Sequence, residues 1–147
     1  MNLEIERKFL VKDDRYKGLA RQQWSIEQAY LSKDPERTVR VRIANDQAWL
    51  TIKGKSDAAG LIRKEWEKEI SLSEAQELMQ LCLPRPIQKI RYVIPYQGLE
   101  IVVDAFSAPQ AMVLAEVELP TETTPFSPPD WLGEEVTGNP AYYNSNL

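Results

Sequence analysis

In the opening stretch MNLEIERKFLV, Glu4, Glu6 and Lys8 alternate with Leu3, Ile5, Arg7 and Phe9. Side chains of an extended strand point alternately to its two faces, so both carboxylates and the ammonium leave from one side. Neighbouring carboxylates repel unless a cation joins them, and magnesium or manganese takes hard oxygen ligands of that kind. The lysine beside them suits a phosphate oxygen. The same alternation also describes a solvated edge strand kept soluble by its charges. The stretch by itself does not separate these two descriptions.

Further charged groups recur with the same period of two. Arg40 and Arg42 share one face of TVRVRIA, opposite Val39, Val41 and Ile43, and Thr51 and Lys53 share a face of the next segment. In IRKEWEKEI, Arg63, Glu65, Glu67 and Glu69 fall on one side; Lys64, Trp66, Lys68 and Ile70 fall on the other. Lys89 and Arg91 pair in QKIRY, Asp104 lies on the face of Glu100 and Val102, and Glu116 and Glu118 follow Leu114. Such a set suits a small polyanion held together with metal ions, because guanidinium and ammonium groups bind phosphate oxygens while carboxylates bind the metal. The chain contains no histidine. That removes Ser/His/Asp and Cys/His nucleophile systems, histidine-ligated zinc and imidazole acid/base chemistry.

These side chains need a scaffold. The 147 residues fit a single domain, 1–147, able to bury a core without staples, and 43% of them are hydrophobic. No apolar run approaches 18 residues and no signal-like leader is present, so a soluble, cytoplasmic protein with no membrane partner is expected. Cys82 has no partner for an intrachain disulfide and reads as a packing residue. The net charge is −4 with no basic run, which argues against double-stranded nucleic acid.

Alternation and turn residues predict about eight strands. Strands are expected over 1–11, 24–32, 36–44, 47–54, 63–71, 88–95, 99–106 and 111–120, with turns at Asp34-Pro35, Asn45-Asp46 and Gln97-Gly98. A short helix fits within 12–21. One firm helix is expected from a Ser73/Gln76 capping box, with Ala75, Leu78, Met79, Cys82 and Leu83 as its apolar face and Pro84 and Pro86 ending it. The tail from Trp131 reads as a packed loop or short helix, with Tyr142 and Tyr143 either plugging an opening or packing on the surface. The fold class is α+β, predominantly antiparallel β. Either an open sheet leaves its charged face in water, or a closed eight-stranded tunnel-like barrel with a few flanking helices turns the charges inward; the recurrence of arginine favours the barrel. Outer faces such as Val39, Val41 and Ile43 then need cover from helices or a second subunit, hence a possible homodimer.

With these blocks in order, the sequence resembles the CYTH family, the triphosphate tunnel metalloenzymes. The carriers are Glu-x-Glu-x-Lys at Glu4, Glu6 and Lys8, then QAYL from Gln28, RVRI from Arg40, TIKG from Thr51, RKEWEKEI from Arg63, QKIRY from Gln88, VDAF from Val103, AEVEL from Ala115 and WLGEEVT from Trp131. The resemblance implies a tunnel that binds a triphosphate with Mg2+ or Mn2+ and hydrolyses it, most simply inorganic tripolyphosphate, by metal-assisted attack of water. It implies metal ligation by Glu4, Glu6, Glu116 and Glu118, with Asp104 completing the acidic side as a further metal ligand or by orienting the attacking water. Lys8, Arg40, Arg42, Lys53, Lys89 and Arg91 would bind phosphate, and Lys8, Glu65 and Glu67 would assist the chemistry. A class IV adenylyl cyclase, a thiamine or nucleoside triphosphatase, and a polyphosphate-binding module without turnover are the alternatives.

Overall fold

A computed structural model of the chain describes residues 2–147; Met1, included in the expected first strand, lies outside the described residues. The elements in order are β1 (Asn2–Val11), α1 (Tyr16–Leu19), β2 (Gln22–Ser32), β3 (Arg37–Ala44), β4 (Gln47–Gly54), β5 (Ile62–Ile70), α2 (Leu72–Met79), β6 (Ile87–Tyr96), β7 (Leu99–Ala108), β8 (Met112–Glu118) and β9 (Leu132–Glu135). Short 3-10 turns at Pro140–Tyr142 and Asn144–Asn146 end the chain. The strands are ordered β5-β4-β3-β2-β6-β7-β8-β1, and β1 returns to β5. The sheet therefore closes into an eight-stranded barrel, with every pairing antiparallel. An open sheet with its charges in water is excluded.

β1 is the seam of the barrel. Its residues Asn2 to Ile5 pair with β5, while Glu6 to Leu10 pair with β8 along the other edge. Where β5 has left, β9 pairs with Phe9 and Val11. This ninth strand departs from the expectation of a loop or short helix. Four residues containing a glycine and two glutamates carry no alternating signature, and only the exposed edge of β1 makes them a strand.

Two apolar clusters pack against the outside of the barrel wall and a third closes one end from within. On one flank Phe9, Tyr92, Ile94, Ile101, Val103, Ala115 and Val117 meet Tyr16 from α1 and Trp131 from the C-terminal third. On another flank Val41 and Ala48 pack beneath Ala75 of α2, joined by Ile43, Leu78, Met79 and Cys82. The helix thus supplies cover for part of the β3 face. Ile52 and Trp66, cross-strand partners farther along, stay exposed at 37% and 43%. A third cluster lies inside one end of the barrel, where Tyr30, Ile87, Phe106 and Leu114 pack with Leu10, Met112, Tyr142 and Leu147. Charge occupies the remainder of the lumen.

Helix α2 starts two residues earlier than expected. Ser71 Oγ accepts from Glu74 N at 3.0 Å and Glu74 Oε1 accepts from Ser71 N at 2.9 Å, so the capping box is Ser71/Glu74 rather than Ser73/Gln76. The α-helix ends at Met79, i→i+3 turns carry the chain on to Cys82, and Leu83 is exposed at 43% instead of joining the apolar face. Tight turns set the other connections. Gln97 and Gly98 both have positive φ, the geometry that lets a two-residue hairpin follow strand twist.

Candidate active site

A cavity of about 1040 Å³ lies within the barrel. Its wall includes Glu4, Glu6, Lys8, Arg40, Arg42, Lys53, Glu65, Glu67, Lys89, Arg91, Glu116 and Glu118. The period-two alternation of β1, β3, β5, β6 and β8 places these groups inward, and strand register decides which of them meet. Glu6 lies opposite Glu118 and Lys8 opposite Glu116 on the β1–β8 pair. Lys53 lies opposite Glu65 on β4–β5, and Glu65 opposite Asn2 of β1. Of the residues expected to work together, only Asp104 fails to line the cavity.

Asp104 is 2% exposed and both its oxygens are taken. Arg91 donates to it through Nε at 2.8 Å and Nη2 at 2.9 Å, and Lys89 Nζ donates at 2.8 Å. Burial alone would raise its carboxyl, yet Arg91 and Lys89 hold it well below the ordinary carboxylate range. The residue acts as a fixed counter-charge that sets the positions of two cations. Alternation places Asp104 inward but does not reveal that Arg91 and Lys89 engage both its oxygens.

The acidic groups of β1, β5 and β8 are unevenly compensated. Lys53 Nζ donates to both oxygens of Glu4, at 2.9 and 2.8 Å. Lys8 Nζ lies 3.3 Å from Glu116, and although burial opposes it, Lys8 holds Glu116 down at about 2. Among the described residues Glu6 has no such partner: burial, then Glu116 and Glu4, push its carboxyl well above the usual range. Burial and the hydrogen bond it shares with Glu4 push Glu65 up to about 7. These carboxylates are crowded into a state that an added cation would relieve.

Across the lumen the imbalance is cationic. Arg42 is driven well below its usual range by burial and by Arg40 and Arg91 nearby, and its Nε donates to the neutral Gln28 Oε1 at 3.0 Å. Arg40 donates through Nη2 to Thr51 Oγ1 at 3.2 Å, and Thr51 in turn donates to Glu67 at 2.7 Å. Arg40 Nε is buried with no partner among the described residues. A buried donor left without an acceptor costs on the order of 1–3 kcal/mol. An anion in the cavity would offer the acceptor that Arg40 Nε lacks among the described residues.

Several groups in this site were not singled out as functional in the sequence. Thr51 shares a face with Lys53, and Gln28 sits in the QAYL block, so each had a positional signal. Arg63 donates to Gly54 O at 3.1 Å and Thr38 Oγ1 at 3.3 Å, which fixes the β4–β5 end of the lumen. Glu69 is exposed and does not line the cavity. The tail enters at the Lys8 end. Lys8 Nζ donates to Tyr142 O at 3.0 Å, and Tyr143 and Asn144 line the cavity there. Gly60 and Gly138, both with positive φ, touch so closely that a Cβ on Gly60 would fall 2.2 Å from Gly138 Cα. That contact pins the 56–60 loop against the tail.

The model of the CYTH domain family matches residues 2–145. The chain belongs to the CYTH family. It is 44% identical to an inorganic triphosphatase of Acetivibrio thermocellus over all of this chain and 94% of that protein. An inorganic triphosphatase of Nitrosomonas europaea is 31% identical, with 98% of this chain and 95% of that one covered. Among solved structures, the crystal structure of the inorganic triphosphatase NE1496 superposes with a TM-score of 0.67 at 30% identity, covering 97% of this chain and 95% of the other. The closed barrel is the fold this CYTH chain shares with that structure. No helix among the described residues is long and apolar enough to cross a membrane.

Proposed function

We propose that this CYTH-family chain is a cytoplasmic, metal-dependent inorganic triphosphatase that hydrolyses tripolyphosphate to pyrophosphate and phosphate inside its barrel. The observation that carries this reading is the division of one cavity into under-compensated cations and crowded carboxylates, with the buried Arg40 Nε lacking an acceptor. The relatives named inorganic triphosphatase, similar over almost their whole length, support the same reaction. In this proposal residues 1–147 act as one domain.

The donor set fits a divalent metal. Glu4, Glu6, Glu116 and Glu118 offer carboxylate oxygens only, the hard ligands that magnesium and manganese prefer. Among the described residues no three of them already stand as a metal-holding group, and Lys53 occupies both oxygens of Glu4. Lys53 beside Glu4 would then be free to share its ammonium between that carboxylate and a phosphate oxygen. The metal, when bound, supplies Lewis-acid neutralisation of phosphate charge.

The chain's own residues do the remainder. Lys8, Arg40, Arg42, Lys53, Lys89 and Arg91 surround the polyanion and stabilise charge on the departing pyrophosphate, the dominant contribution in phosphoryl transfer. Asp104 keeps Lys89 and Arg91 from drifting. Glu65, whose carboxyl titrates at about 7, orients water and takes its proton, with Glu67 beside it as the partner that fixes Thr51 and Arg40. Phosphate release from tripolyphosphate, ATP and thiamine triphosphate, each in magnesium, in manganese and in chelator, tests the proposal. Fast, metal-dependent release from tripolyphosphate supports it. Cyclic AMP formation from ATP in place of phosphate release would replace it with the cyclase reaction.

A further inference from the structure

Asn144, in the last four residues of the chain, links two of the cations expected to hold substrate. Its Oδ1 accepts from Lys89 Nζ at 2.9 Å and from Gln28 Nε2 at 2.9 Å. Gln28, 0% exposed, passes the constraint onward by accepting from Arg42 Nε through its own carbonyl at 3.0 Å. One backbone turn earlier, Tyr142 O accepts from Lys8 Nζ. The tail thus touches, directly or through Gln28, cations supplied by β1, β3 and β6.

The chemistry of the link matters. With two donors on its oxygen, the carboxamide has only its N–H2 left to offer, and this nitrogen makes no hydrogen bond among the described residues although Asn144 lines the cavity. A carboxylate at the same place would hold the same two donors but would neutralise Lys89 and repel phosphate. An amide orients the cations without cancelling their charge. We propose that Asn144 is a substrate-positioning residue, which holds Lys89 and Arg42 in register for the innermost phosphate group and donates its own N–H to that group. The C-terminal tail becomes part of the anion site and forms its end wall.

This inference rests on the triphosphatase proposal for its ligand, and the test separates the two. Tripolyphosphate is titrated calorimetrically into wild type, Asn144→Ala, Asn144→Asp and Asn146→Ala, once in chelator and once in magnesium, with kcat and KM measured alongside. Asn146 donates to Pro140 O within the tail and does not line the cavity, so its variant reports any effect of loosening the tail alone. The expected result is a graded loss: affinity in chelator falls about tenfold in Asn144→Ala, in line with the loss of one or two hydrogen bonds to a charged group. It falls further in Asn144→Asp, which keeps the acceptors but adds negative charge, and Asn146→Ala stays near wild type. KM rises more than kcat falls in Asn144→Ala. Two results overturn the inference alone: Asn144→Ala binding as wild type does, or Asn146→Ala losing affinity to the same extent. Failure of wild type to bind tripolyphosphate in either buffer would overturn the triphosphatase proposal and this inference with it.

Discussion

At the scale of single residues, the site is a set of charges whose partners are missing or shared. Arg40 illustrates what that means for stability. Its Nε is buried with no partner among the described residues, while Nη2 is held by Thr51 and lies 3.8 Å from Glu67, so replacing the guanidinium by an apolar chain of similar length removes a buried charge that the protein alone satisfies only in part. Arg40→Met should unfold no more easily than wild type in urea, while kcat/KM for tripolyphosphate falls at least about 100-fold, roughly 2.7 kcal/mol of transition-state stabilisation. Asp104 is the opposite case. Removing it leaves Lys89 and Arg91 buried without a counter-ion, and Asp104→Ala should cost about 3–5 kcal/mol in chemical denaturation as well as activity.

Glu65 adds a dependence on pH. Its folded-state carboxyl titrates at about 7 against an ordinary 4.5, so the folded state holds a proton that the unfolded chain has released across that window. Stability of the metal-free protein accordingly falls as pH rises from about 4.5 to 7. Thermal denaturation in chelator should show this slope reduced in Glu65→Gln, with Glu6 and Glu118 contributing to what is left because burial raises both carboxyls in the same direction. An unchanged slope in Glu65→Gln would contradict the crowding of Glu65 against Glu4.

Elements put these residues in place, and here the sequence was readable wherever one face was charged and the other apolar. The alternation in β1, β3, β5, β6 and β8 identified the inward residues because a strand's period of two leaves no freedom once one face is buried. It could not show what each inward group would meet. Asp104 was placed on the correct face, yet its engagement with Lys89 and Arg91 depends on the β6–β7 register, which sets Arg91 opposite Asp104. β9 and Asn144 were invisible for a different reason. Their structure comes from docking onto β1 and into the barrel end, so short polar segments carried no periodic signal of their own. Helix α2 was legible in existence but shifted in start, since Ser71 and Ser73 both offer a hydroxyl and only Ser71 has the glutamate three residues on. Ser71→Ala should cost about 1 kcal/mol of stability and leave kcat/KM unchanged.

For the whole molecule, the barrel's core is divided. Apolar clusters hold the wall from outside, an apolar cluster containing Tyr142 and Leu147 fills one end, and the charged cavity lies between. If a polyanion binds there as proposed, binding is coupled to folding, because the ligand would satisfy charges that the protein alone leaves under-compensated. Tripolyphosphate at 100 times its dissociation constant should stabilise the fold by about 2.7 kcal/mol, read as a rise in melting temperature.

The most direct test of the central claim is phosphate release from inorganic tripolyphosphate by the intact chain, with magnesium or manganese and with chelator, in wild type and Glu6→Ala. The account predicts rapid release that needs the metal and disappears in Glu6→Ala, with ATP and thiamine triphosphate slower. Absence of release from tripolyphosphate in any metal, with the protein folded and the anion bound, would contradict it and leave a polyphosphate-binding module in its place.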